Sequence, residues 1–158
     1  MSRVEKPHVL LADDNEATCT LITALLRREF TIDVAHDGHE AIEKLQTRRY
    51  VAMLLDLRMP ETDGFAVLHH LQDADPKMLR HVLVVTAALT PKDMARARSF
   101  PICEIISKPF DIEKLLSSVR HCAELSDDPP DGSSLGNVIC SSGSMILLIA
   151  DFLRQRLG

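Results

Sequence analysis

Residues 51–60, Val-Ala-Met-Leu-Leu-Asp-Leu-Arg-Met-Pro, constrain the fold of this chain more than any other stretch. An unbroken apolar run, 51–55, ends on Asp56. Met59-Pro60 stops any continuation, and Asp63-Gly64 restarts the chain as a helix. A short apolar run closed by a breaker reads as a strand buried on both faces, which favours a parallel sheet. Open α/β sheets place their sites at the carboxyl ends of such strands, so Asp56 stands where chemistry is expected. Taken singly, Asp56 reads better as a turn or capping aspartate, since aspartate is common in turns.

The same unit recurs along the chain. Residues 8–12 form a first apolar run that hands over Asp13 and Asp14, and Asn15 can cap the helix that follows, with Leu21, Ile22, Leu25 and Leu26 on its buried face. Residues 31–35 read as a second strand. Asp37, three residues before Glu40, has capping-box spacing, and Ala41, Ile42 and Leu45 supply a buried stripe. Phe65, Leu68 and Leu71 line a third helix. Residues 82–87 form a fourth strand with Thr86 at its end, and Thr90-Pro91 opens a fourth helix. Residues 102–106 form a fifth strand, closed by Ser107-Lys108-Pro109. Asp111 caps a last helix with Ile112, Leu115, Leu116, Val119 and Cys122 on one face. Five strands alternating with five helices predict a doubly wound α/β fold, a parallel sheet with helices on both faces.

The organisation expected is a domain over 1–124, a polar linker rich in Ser, Asp and Pro over 125–137, and a short amphipathic helix or tail over 138–158. That tail is too short to be an independent domain. Its apolar face predicts packing on the first domain or on a partner, by docking or by dimer formation. The net charge of −5 carries no basic footprint for nucleic acid, and no helix-turn-helix follows the linker, so direct DNA binding is not expected. Apolar runs stay far below the roughly 18 residues of a membrane span. Cys19, Cys103, Cys122 and Cys140 lack CxxC spacing and read as reduced thiols of a cytoplasmic protein, without a disulfide frame or zinc site. The seven histidines have no ligand-spaced partner and read as surface or partly buried.

In a parallel sheet the strand ends share one edge, which gathers Asp13, Asp14, Asp56, Thr86 and Lys108. Three carboxylates together repel unless a hard cation lies among them, and Mg²⁺ takes oxygen ligands while keeping waters. Beside it, Asp56 would be an anionic nucleophile able to accept a phosphoryl group as an acyl phosphate. Thr86 and Lys108 would supply a donor and positive charge to the transferring oxygens. Each residue has a blander reading alone: a helix N-terminal charge pair, a strand threonine, a solvated lysine. All five on one edge make a coherent set.

The chain resembles the receiver domain of two-component response regulators over about residues 7–124. The matching pieces are Leu-Leu-Ala-Asp-Asp at 10–14, Asp-Leu-Arg-Met-Pro at 56–60 with Asp63-Gly64, Val-Val-Thr-Ala at 84–87, and Lys-Pro-Phe at 108–110. Each is weak alone; their order and spacing are specific. The resemblance implies a flavodoxin-like fold with strand order 2-1-3-4-5 and Asp56 as phosphoacceptor. It also implies an Mg²⁺ site from Asp13, Asp14, Asp56 and the Arg58 backbone carbonyl, with Asp14 favoured over Asp13 as a direct ligand. Thr86 would bind the acyl phosphate, Lys108 would pair with a phosphoryl oxygen, and Lys108-Pro109 can be cis. The donor implied is a phosphohistidine on a sensor histidine kinase or a histidine phosphotransfer protein, and the output is phosphorylation-dependent partner binding. Beyond this self-catalysed phosphorylation and dephosphorylation no enzyme activity is expected.

Two positions depart from the family pattern. Ile105 stands where an aromatic residue is usual, and Phe100-Pro101 where Gly-Ala is frequent, so the usual output face is less supported than the chemistry. Ile105 can equally be a packing residue. Arg58 reads either as a shaper of access to the acyl phosphate or as a solvated side chain. Two other readings compete. A pseudo-receiver would act as an unphosphorylated scaffold. A phosphatase of the haloacid dehalogenase type would need an aspartate two residues after the nucleophile, where this chain has Arg58.

Overall fold

The computed structural model of the protein describes residues 4–87 and 89–125. Five strands, β1 (His8–Ala12), β2 (Thr31–Ala35), β3 (Ala52–Leu55), β4 (Val82–Thr86) and β5 (Glu104–Ser107), alternate with five helices. These are α1 (Glu16–Leu26), α2 (Gly38–Thr47), α3 (Gly64–Ala74), α4 (Pro91–Arg98) and α5 (Ile112–Glu124). Every strand pair is parallel, as the alternation of strands and helices predicts, and the order is β2-β1-β3-β4-β5, as the resemblance implies. The linker and tail expected beyond residue 125 lie outside the described residues. Among the described residues, no helix is long and apolar enough to cross a membrane.

Local signals set the helix starts. Asn15, Asp37, Asp63, Thr90 and Asp111 each accept a hydrogen bond from a first-turn amide, at 2.8–3.1 Å. A cap of this kind stabilises a helix by about 1 kcal/mol. Glu40 completes the second start by accepting the His36 amide at 2.8 Å.

The strands then divide the core by their two-residue period. Leu10, Met53, Leu55, Val82 and Val84 face α2, α3 and α4. Val9, Leu11, Leu54, Leu83 and Val85 face α1 and α5. The chain leaves β1 for β2 on one side and returns to β3 on the other. This reversal opens a crevice beyond the carboxyl ends of β1 and β3.

Several expectations are corrected. Leu21 and Ile112 are each 44% exposed, while Ile22 of α1 and Leu115 of α5 are buried. The segment 102–106 is not all strand, since the Ile102 amide turns back onto the Phe100 carbonyl and β5 starts at Glu104. A 3₁₀ turn, Met78–His81, precedes β4 and was not expected. His81 is buried there, its Nδ1 donating to the Cys122 carbonyl at 2.7 Å. The reading of all cysteines as free thiols is overturned for two of them: Cys103 and Cys122 form a disulfide with Cα atoms 6.0 Å apart. Packing of α5 over β5 brings together residues whose spacing of 19 signals nothing in sequence. Cys19 is a buried free thiol.

Candidate phosphoacceptor and metal site

The sheet ladder continues past the strand ends and pins them. The Asp13 amide donates to Ala35, that of Asp56 to Ala12, and that of Lys108 to Thr86, at 2.8–3.0 Å. Residues 95 positions apart in sequence are thereby brought into one crevice. Lys108 Nζ donates to Asp13 Oδ2 at 2.5 Å and to Asp56 Oδ2 at 3.1 Å. The Thr86 hydroxyl donates to Asp56 Oδ1 at 2.9 Å, and so does the Arg58 amide. Asp13 Oδ1 accepts the Asn15 amide at 2.8 Å. Both oxygens of Asp56 are therefore held, which fixes the plane of its carboxylate.

Burial grades the set. Asp13, Asp56 and Thr86 are buried, whereas Asp14 is exposed and opens the cluster to solvent. Burial alone would lower the Lys108 pKa, but hydrogen bonds and charge from Asp13 and Asp56 outweigh it and raise the pKa above the ordinary lysine value. The ammonium is thus locked in its charged form. One ammonium against three carboxylates still leaves the cluster anionic. Oxygens of Asp13, Asp14 and Asp56 lie within 4.8 Å of one another, a set of hard donors suited to a divalent cation. Beneath it, Cys19 Sγ approaches the Asp13 carbonyl at 3.2 Å. Burial first, and the Asp13 charge second, push its pKa up to about 11, so it is a neutral thiol.

All five side chains singled out from sequence meet here. Arg58 does so through its backbone amide; its side chain, 53% exposed, ion-pairs with Asp93 of α4 at 3.3 Å. Ile105 packs, partly buried, against the core. Lys108-Pro109 is cis. Sequence reasoning missed the structural demand at Gly64. A Cβ there would lie 2.5 Å from the Asp56 carbonyl and 2.7 Å from Leu57 Cα. Only glycine lets the start of α3 close onto the loop that carries Asp56.

Residues 9–120 match the response regulator receiver domain family, and the chain belongs to it. Among curated proteins, the transcriptional regulatory protein ZraR of Salmonella typhimurium is 27% identical over 134 residues, which are 82% of this chain and 30% of that protein. The transcriptional regulatory protein TrcR of Mycobacterium tuberculosis is 31% identical over 113 residues, 71% of this chain and 43% of that one. The chain thus spans less than half the length of these relatives. Their description as transcriptional regulators lends no support to the expectation that DNA is not contacted. A solved structure, the receiver domain of the sensor histidine kinase PA1611 from Pseudomonas aeruginosa, superposes with a TM-score of 0.67 at 23% identity. It covers 75% of this chain and 98% of that one, and was solved with a magnesium ion coordinated in its active-site cleft. The class is therefore that of a two-component response regulator receiver.

Proposed function

We propose that the domain receives a phosphoryl group on Asp56 from a phosphohistidine of a kinase or phosphotransfer protein, and signals by binding a partner in the phosphorylated state. The observation that carries this reading is the buried Asp56 carboxylate, oriented by Thr86, the Arg58 amide and Lys108 inside a net-anionic oxygen cluster. Asp13, Asp14, Asp56 and the Arg58 carbonyl would hold Mg²⁺, as the magnesium-bound receiver from Pseudomonas aeruginosa supports. When bound, the cation supplies Lewis acidity and screens the carboxylates from one another.

In the transfer an Asp56 oxygen attacks phosphorus and the P–N bond to the donor histidine breaks, leaving its electron pair on the ring. Lys108 exchanges its bond to Asp56 Oδ2 for one to a phosphoryl oxygen while keeping Asp13. The Thr86 hydroxyl, which now donates to Asp56 Oδ1, turns to a phosphoryl oxygen. That movement shifts the end of β4 and is the physical signal. Hydrolysis by water returns the carboxylate. Arg58 stands where a haloacid dehalogenase-type phosphatase needs its second aspartate, which disfavours turnover of small phosphate esters. Cytoplasmic location, a linker over 125–137 and a partner- or self-binding tail over 138–158 belong to the same proposal.

The test uses acetyl phosphate with Mg²⁺. Wild-type protein takes up one phosphoryl group, and Asp56→Asn takes up none while keeping its circular dichroism. Labelling of Asp56→Asn would show the acceptor to be another residue. No labelling of either protein would favour the scaffold reading.

A further inference from the structure

Reversible thiol chemistry is the second reactive feature of the molecule, and it lies away from the acidic crevice. Cys103 immediately precedes β5, which is an edge strand, and its amide is anchored to the Val82 carbonyl at 2.9 Å. Cys122 sits in the last turns of α5 and is fully buried. Cys103 is only partly buried and lines an open groove of about 330 Å³, together with Arg98, Phe100 and Ile105. The bonded cysteines are therefore unequal: Cys103 is partly exposed and lines the groove, whereas Cys122 has no exposed surface. Thiol–disulfide exchange needs in-line access to the sulfur attacked, and its direction follows access.

The charge at the groove selects the reactant. Arg98 is exposed at its rim. The one carboxylate among the lining side chains, Glu104, is engaged by Lys114 at 2.5 Å and by Ser118 at 2.7 Å. A cation lining the groove attracts an anionic reagent. We propose that Cys103 is a thiol–disulfide exchange site for an anionic low-molecular-weight disulfide of the glutathione type, with Cys122 as the resolving thiol.

The chemistry balances in two steps. The Cys103 thiolate attacks one sulfur of the reagent, whose S–S bond breaks and releases one thiolate, leaving a mixed disulfide on Cys103. The Cys122 thiolate then attacks Cys103 Sγ, expels the second reagent thiolate and closes the internal bond. Both protein thiols are oxidised and one reagent disulfide is reduced to two thiols. Excess reagent thiol reverses both steps, entering at Cys103. Cys19, buried and with its pKa at about 11, stays out of this exchange.

The test uses the full chain carrying Cys140→Ser, reduced and then exposed to oxidised glutathione, with mass mapping of the thiols. The internal bond should form without retained glutathione. Adding Cys122→Ser should trap glutathione on Cys103, whereas adding Cys103→Ser should leave Cys122 unlabelled in the folded protein. Arg98→Gln should slow reaction with oxidised glutathione severalfold and leave reaction with neutral hydroxyethyl disulfide unchanged. Equal labelling of Cys122 and Cys103 in the folded single variants would overturn the proposal. So would indifference of the glutathione rate to Arg98→Gln. Should the serine variants fail to fold, the first protein decides: both thiols surviving in native buffer and pairing only in urea would also overturn it.

Discussion

Two polar clusters lie at opposite ends of the same sheet. Where β1 begins, the Asp33 carboxylate is approached by the Tyr50 hydroxyl at 3.0 Å, His8 Nδ1 at 3.3 Å and Arg48 Nε at 3.5 Å. Where β1 ends, three carboxylates gather and a single ammonium pairs with two of them, Asp13 and Asp56. The first cluster has one acid and several donors, so its charge is satisfied from within. The second has more acids than cations to balance them, and buries two of those acids. Buried charge without full pairing is costly, and a fold that keeps it has a use for a further cation or for a reacting group. Local imbalance, more than the number of charged residues, separates a site from a structural ion pair.

Lys108→Ala is the harshest way to break this contrast. It leaves Asp13 and Asp56 buried without their shared partner and should destabilise the domain by about 3 kcal/mol in chelator. Millimolar Mg²⁺ should restore part of that loss, as read by urea unfolding. An unchanged midpoint in chelator would mean that the lysine does not neutralise the cluster. Gly64→Ala comes next, because its Cβ must push the Asp56 loop away from α3. We expect a cost of about 2 kcal/mol together with weaker Mg²⁺ binding. A variant that unfolds and binds like the wild type would show the approach at Gly64 to be slack.

Tyr50→Phe at the satisfied cluster should cost only about 1 kcal/mol, one hydrogen bond, and leave Mg²⁺ affinity untouched. Its pH dependence sharpens the comparison. Burial first, and the bond to Asp33 second, raise the Tyr50 pKa to about 12. An acid whose folded pKa is raised contributes its full stability below the unfolded value of about 10 and loses it as pH climbs further. Tyr50→Phe should therefore remove part of the alkaline loss between pH 10 and about 12. The raised pKa values of Lys108 and Cys19 act in the same direction, so some alkaline loss should remain in Tyr50→Phe and shrink further, without vanishing, when Lys108→Ala is added.

Much of this was legible in the sequence because it is written in order. Apolar runs ending in Asp13, Asp56, Thr86 and Lys108 define strands and place their last residues on one edge, and caps such as Asp63 and Thr90 mark helix starts. What was not legible depends on contacts between elements. Leu21 and Ile22 are equally apolar, and only the curvature of the core decides which is buried. The apolar character of Ile102 does not reveal that its amide bonds back to Phe100. His81 is buried because α5 presents the Cys122 carbonyl to it, and Cys103 meets Cys122 because α5 crosses β5. Gly64 looks like a helix start in sequence, while its need for closeness to Asp56 exists only in three dimensions.

Locating the phosphoryl group tests the central claim most directly. Wild-type protein labelled with acetyl phosphate and Mg²⁺, then treated with borohydride, converts an acyl phosphate to homoserine, which peptide mass mapping can place. The account requires homoserine at position 56 and nowhere else. Homoserine at position 13 or 14, or phosphate found on a histidine, would contradict it.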